Sequence, residues 1–162
     1  MKVTDKIEIT NEDNLTLMSR YEDNFFDLAI VDPPYGIGIA KKSFRSKHEK
    51  KSWDDEIPNK EYFEELFRVS KEQIIWGGNY FDLPPTQNLI IWDKVQPFDF
   101  TSAMAEIAWC SIQMPIKIFK KHVVTAEKNK IHPTQKPVDL YKWLIDKYLI
   151  NKMGGGKILD TH

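Results

Sequence analysis

A chain of 162 residues is long enough to build one domain with a real core. Apolar residues make up 41 % and charged residues 29 %, an ordinary soluble globular composition, and no stretch approaches the length needed to span a membrane. The net charge of −1 excludes a global electrostatic signature of nucleic-acid binding, so any phosphate contact must come from a local patch.

Taken in chain order, "MKVTDKIEIT" has no hydrophobic signal region, and its "KIEIT" alternates like a short strand. "DLAIV" is a continuous apolar run of the kind buried in a parallel sheet. A basic loop is expected over about 38–58, with its charges in "KKSFRSKHEKKSW". "NKEYFEELFRVSK" places Phe63, Leu66 and Phe67 on one helical face, with Asn59 as cap. "QIIW", ending at Gly77 and Gly78, and "LIIW", followed by Asp93 and Lys94, read as buried strands. "AMAEIAWC" and "PIKIF" are further strand candidates, the latter opened by Pro115. Cys110 reads as a small buried hydrophobe in a reducing compartment. "PVDLYKWLIDKYLI" predicts a helix with Pro137 at its first position and Tyr141, Leu144, Ile145 and Tyr148 as its buried stripe. The glycines at 154 to 156 are expected to stop that helix before a last strand, "KILD".

Strands alternating with helices predict an α/β fold with a doubly wound sheet, as a single domain over 1–162. Ligands of such sheets bind outside the carboxyl ends of the strands. Three polar or glycine-rich clusters fall there: Asp32 to Tyr35, Gly77 to Asn79, and Trp92 to Lys94. Together they predict a cleft.

The stretch "IVDPPYGIG" shows what such a cleft can do. Two adjacent prolines fix two φ angles and remove two donors, leaving a stiff turn with a carboxylate, bare carbonyl oxygens and an aromatic face. An exocyclic amino group on adenine is a poor nucleophile, because its lone pair is delocalised into the ring. Asp32 and the Pro33 carbonyl can each accept one of its N–H bonds, which pulls the nitrogen toward a tetrahedral form and frees the lone pair. Tyr35 is suited to stack on a base flipped out of a duplex.

"DPPY" after an apolar strand resembles the catalytic motif of the amino-methylating DNA methyltransferases, which use S-adenosylmethionine. "IHPTQKPVDLYKWLI" is similar to the family segment beside the methionine part of the cofactor, and "IIWGGNYF", then "IIWDK" and "AEIAW", resemble the family in the right order. The motif order resembles the permuted beta subclass. The resemblance implies a Rossmann-like S-adenosylmethionine-dependent methyltransferase fold, with Asp32, Pro33 and Tyr35 catalytic and Pro34 structural within the same catalytic motif. Asp at the first motif position points to adenine, where the cytosine-amino enzymes usually carry Ser and the amide methylases Asn. It further implies cofactor contacts from Asp13 in "NEDNL", from His132, Thr134, Gln135 and Lys136, and from Asp160. The basic loop would supply phosphate contacts from Lys41, Lys42, Arg45, Lys47, Lys50 and Lys51 to double-stranded DNA. A restriction endonuclease counterpart and a cytoplasmic location belong to the same expectation. No metal is expected, since the four histidines lack zinc-site spacing.

The chain departs from the family at "KILDTH", where the family continues into a Gly-x-Gly cofactor loop. That departure makes the expected fold incomplete at the C-terminus. It sets an adenine-amino DNA methyltransferase against a catalytically inactive, truncated remnant or DNA-binding module, with cytosine-amino, RNA or protein-amide methylation as lesser alternatives.

Overall fold

The computed structural model describes residues 2–37, 57–97, 103–122 and 135–162. His132, Thr134 and the six basic residues Lys41, Lys42, Arg45, Lys47, Lys50 and Lys51 lie outside the described residues. The described chain is an α/β fold around a six-stranded mixed sheet.

Two short strands, β1 (Lys2–Thr4) and β2 (Ile7–Glu8), pair as a hairpin apart from the main sheet, so "KIEIT" contributes only two strand residues. A short helix, α1 (Asn14–Met18), leads to β3 (Phe26–Val31). Helix α2 (Lys60–Val69) then delivers the chain to β4 (Ser70–Trp76). A single 3₁₀ turn (Gly78–Tyr80) precedes β5 (Leu89–Asp93), β6 (Ala105–Cys110) and β7 (Lys117–Lys120). Helix α3 (Val138–Leu144) continues as a π-helical stretch (Ile145–Ile150) and a last α-turn, α4 (Asn151–Met153), before β8 (Ile158–Leu159).

The sheet order is β7-β5-β6-β4-β3-β8. β3 runs parallel to β4 and to β8, and β5 runs parallel to β7. β6 is antiparallel to both β4 and β5, so the sheet is mixed. A parallel neighbour needs a long crossover, whereas an antiparallel one needs only a return of the chain. The return from Asp93 to Ala105 pairs those two residues directly.

Both faces of the sheet are covered. Alternate residues of β4, Ile74 and Trp76, point to the face shared with Ile30, Ile90, Trp92, Ala108 and the buried side of α3, Leu140 and Leu144. Ile75 points the other way, with Val31 and Trp109, against Tyr62, Phe63, Leu66 and Val69 of α2. Strands buried on both sides must be apolar at successive positions, which is why "DLAIV" and "QIIW" show no alternation. Burying one such aliphatic side chain contributes about 1.5–3 kcal/mol.

Helix α2 starts where expected, because the Asn59 side chain accepts a hydrogen bond from the Tyr62 N–H at 2.9 Å. Tyr62 takes the buried place expected of Phe67, which is half-buried with its ring against Trp109. At the C-terminal helix the expectation shifts by one position. Pro137 is the N-cap, not the first helical residue, and the buried residues are Leu140, Leu144, Tyr148 and Leu149 in place of Tyr141 and Ile145. The π-helical stretch has wider turns, so residues four apart stay in line from Leu140 through Leu144 to Tyr148. Gly154 stops the helix in the left-handed conformation, and its N–H reaches the Ile150 carbonyl. Strand β7 begins two residues after Pro115. Cys110 is buried, and burial pushes its thiol up to about 11, so it stays protonated. No helix among the described residues is long and apolar enough to cross a membrane.

Candidate active site

β3, β4, β5 and β8 all point the same way, so their carboxyl ends share one edge of the sheet, and β6 begins at that edge. A cavity of about 820 Å³ opens there. Its lining draws Asp32 to Tyr35 from the end of β3, Gly77 from the end of β4 and Lys94 from beyond β5. Glu106 comes from the start of β6, Gln135 and Lys136 from before α3, Tyr141 from α3, and Asp160 from beyond β8. The three sequence clusters thus meet in one place, at a volume typical of small-molecule sites.

The turn after β3 is held stiffly. The Tyr35 hydroxyl donates to Asp32 Oδ1 at 2.7 Å, closing a loop three residues long. The Tyr35 ring stacks on Tyr80, with centroids 5.0 Å apart and planes 15° from parallel. Gly77 makes room for it: with φ at +70°, a Cβ there would stand 2.2 Å from the Tyr35 ring. A Cβ on Gly78 would stand 2.4 Å from that of Trp109, so both glycines are required by close approach.

Charges line the cavity in an alternating chain. Lys136, only 6 % exposed, places its ammonium 2.5 Å from Asp32 Oδ2, 3.1 Å from Glu106 Oε2 and 3.2 Å from the Tyr35 hydroxyl. Lys94 stands 2.7 Å from the other oxygen of Glu106. Burial pushes the Glu106 carboxyl up, but the Lys136 and Lys94 ammoniums outweigh it and hold the group below the usual carboxylate range. Burial, then the Asp32 and Glu106 carboxylates, push the Tyr35 hydroxyl far up, so it remains a donor at any working pH. The same causes act on Tyr141, where burial leads and the charges of Asp32, Asp160 and Glu106 add to it.

Asp160 differs: among the described residues no cation forms an ion pair with it, and the Lys136 charge acts on it only weakly. Protein crowds its carboxyl and raises it to about 6, although the residue still opens to solvent through the cleft. The His162 N–H donates to it at 3.2 Å. Burial lowers the His162 imidazole to about 4, so that ring is neutral at pH 7.

Of the residues singled out in the sequence, Asp32, Pro33, Pro34, Tyr35, Gln135, Lys136 and Asp160 line this one cavity. Asp13 does not: it caps α1, accepting from the Thr16 N–H at 2.9 Å. Lys136 lies at the helix start as expected, with its ammonium on two protein carboxylates. Glu106, within the apolar run "AEIAW", faces the cleft. Tyr141 was expected in the buried stripe of its helix and was not singled out as a site residue. Lys94, from the cluster Trp92 to Lys94, reaches the cavity from just past the end of β5. Among the described residues no group of three or more His, Cys, Asp or Glu could hold a metal. No model of a known protein family matches the chain, and no curated protein matches it either.

Proposed function

We propose that this cleft methylates the exocyclic amino group of an adenine flipped out of DNA, with S-adenosylmethionine as methyl donor, on a Rossmann-like methyltransferase scaffold. The observation that carries the reading is the placement of the Asp-Pro-Pro-Tyr turn. Its carboxylate and its proline residues line a cavity at the carboxyl edge of the sheet, held rigid by Tyr35 and Gly77.

The lining suits a cationic cofactor. Asp32, Glu106 and Asp160 oppose Lys94 and Lys136, three acids against two bases, so the fully ionised lining carries a net charge of −1. Asp160 in particular is a crowded carboxylate with no ion-pair partner among the described residues, the group that a ligand ammonium would complete. Asp160, Gln135 and Tyr141 would hold the cofactor on one side of the cavity. When bound, S-adenosylmethionine supplies an electrophilic methyl group.

The chain's own residues do the rest. Asp32 accepts one N–H of the amino group and the Pro33 carbonyl the other, which frees the nitrogen lone pair for attack. Tyr80, exposed and stacked on Tyr35, offers aromatic surface at the cleft for a flipped base, offsetting part of its lost pairing. The Tyr35 hydroxyl keeps the Asp32 carboxylate aimed.

Transfer of labelled methyl from S-adenosylmethionine to unmethylated DNA tests the reading. Asp32→Ala is expected to lose about 10²–10³-fold of the rate, the scale of removing one polar group that acts in the transition state. Equal transfer by both proteins would remove Asp32 from the chemistry.

A further inference from the structure

The two oxygens of Asp32 are both taken in this structure. Oδ1 accepts from the Tyr35 hydroxyl and Oδ2 from the Lys136 ammonium. Each oxygen can accept a second bond, so an amino group reaching this carboxylate either shares an oxygen with one of these donors or displaces it. Tyr35 cannot leave easily, because its ring is wedged between Tyr80 and the backbone of Gly77. Lys136 can. Its ammonium sits on a flexible four-carbon stem, and a second carboxylate is already within 3.1 Å.

We propose that the Lys136 ammonium is a placeholder on the seat that Asp32 offers to the substrate's amino group, and that Glu106 is the positioning residue that receives it when the substrate arrives. This rests on the functional reading above and extends it to how the seat is kept ready. In the empty cleft the three N–H groups of the ammonium face three acceptors: Asp32, Glu106 and the Tyr35 hydroxyl. An incoming N–H donor replaces the contact to Asp32 alone. The buried ammonium keeps Glu106 and is never stranded without a counter-charge. Lys94 pins the far oxygen of Glu106 and so fixes where the receiving carboxylate stands. It also competes with Lys136 for the charge of Glu106. Weakening Glu106 therefore tightens the placeholder on Asp32, and removing Lys94 loosens it. Among the described residues, Lys94 and Lys136 pair with Glu106, and its charge acts on Tyr35 and Tyr141.

The test needs no turnover. The side-chain ¹⁵N signal of Lys136 is followed while 9-ethyladenine is titrated into the whole chain, with the N6,N6-dimethyl analogue, which has no amino hydrogen, as control. The amino compound is expected to shift the Lys136 signal and the dimethyl compound to leave it in place. Glu106→Gln, which keeps the shape and removes the charge, is expected to weaken 9-ethyladenine binding by about tenfold. Lys94→Met is expected to strengthen binding, and Lys136→Met added to Glu106→Gln to restore it. Thermal melting of each variant reports whether it folds; if Glu106→Gln does not, Lys94→Met still decides by the sign of its effect. A Lys136 signal unmoved at saturating 9-ethyladenine overturns the proposal, as does a weaker complex with Lys94→Met. If these shifts occur and the wild-type chain still transfers no methyl to DNA, the methyltransferase reading fails while the placeholder stands.

Discussion

Tyr35 is held on several sides before any ligand arrives: by Asp32 through its hydroxyl, by Tyr80 across one face and by Gly77 beneath. Gly77→Ala would force a Cβ into that ring and hold a side chain at φ of +70°. We expect it to lower stability by about 1–3 kcal/mol in urea denaturation, with loss of methyl transfer exceeding what the stability change explains. Asp160 carries a different prediction. Its carboxyl, ordinarily at 3.8, titrates at about 6 in the fold, so the ligand-free protein binds this proton more tightly than the unfolded chain. That contribution to stability is present below about pH 4 and is lost as pH rises through 6. Affinity for a cationic cofactor runs the opposite way, because only ionised Asp160 attracts it. Calorimetric titration with S-adenosylmethionine is expected to show affinity rising by about tenfold from pH 5 to pH 7, and Asp160→Asn to flatten the curve. His162 stays neutral across that window and adds nothing to the slope. At this scale the Asp-Pro-Pro-Tyr turn was legible, since its chemistry follows from four successive residues. The pairing of Lys136 with Glu106 was not, because they lie thirty residues apart in sequence and meet only when β6 is placed beside β4.

The elements separate stability from the site. Helix α2 packs on the face away from α3 and is capped by Asn59, whose side chain holds the Tyr62 N–H. Asn59→Ala is expected to cost about 1 kcal/mol of stability and to leave methyl transfer unchanged. Leu144 is fully buried under the sheet, and Leu144→Ala is expected to cost about 2–5 kcal/mol by the same denaturation measurement. The start of α2 could be read from Asn59 and the apolar spacing after it. The buried stripe of α3 could not, because a 3.6-residue period places Tyr141 and Ile145 inward. The π-helical turns from Ile145 keep Tyr148 in line with Leu144, while Tyr141, in the α-helical part before them, lines the cleft. Nothing in the local composition of "LIDKYLI" announces a π turn.

Over the whole molecule, the cleft follows from strand direction. Four parallel strands end together, and each carries its polar residues just past its last apolar one: Asp32 after β3, Gly77 after β4, Lys94 after β5 and Asp160 after β8. That much was legible from where apolar runs stop. The antiparallel direction of β6 was not, since "AEIAWC" reads the same in either direction, yet it is this reversal that brings Glu106 to the cleft at the beginning of its strand. The central claim is that Asp32 serves methylation of an adenine amino group. Mass spectrometry of nucleosides from unmethylated DNA, incubated with the protein and S-adenosylmethionine, tests it most directly. We expect N6-methylated deoxyadenosine with the wild-type chain and about 10²–10³-fold slower formation with Asp32→Ala. Methyl found only on cytosine, or no methylated nucleoside at all, would contradict it.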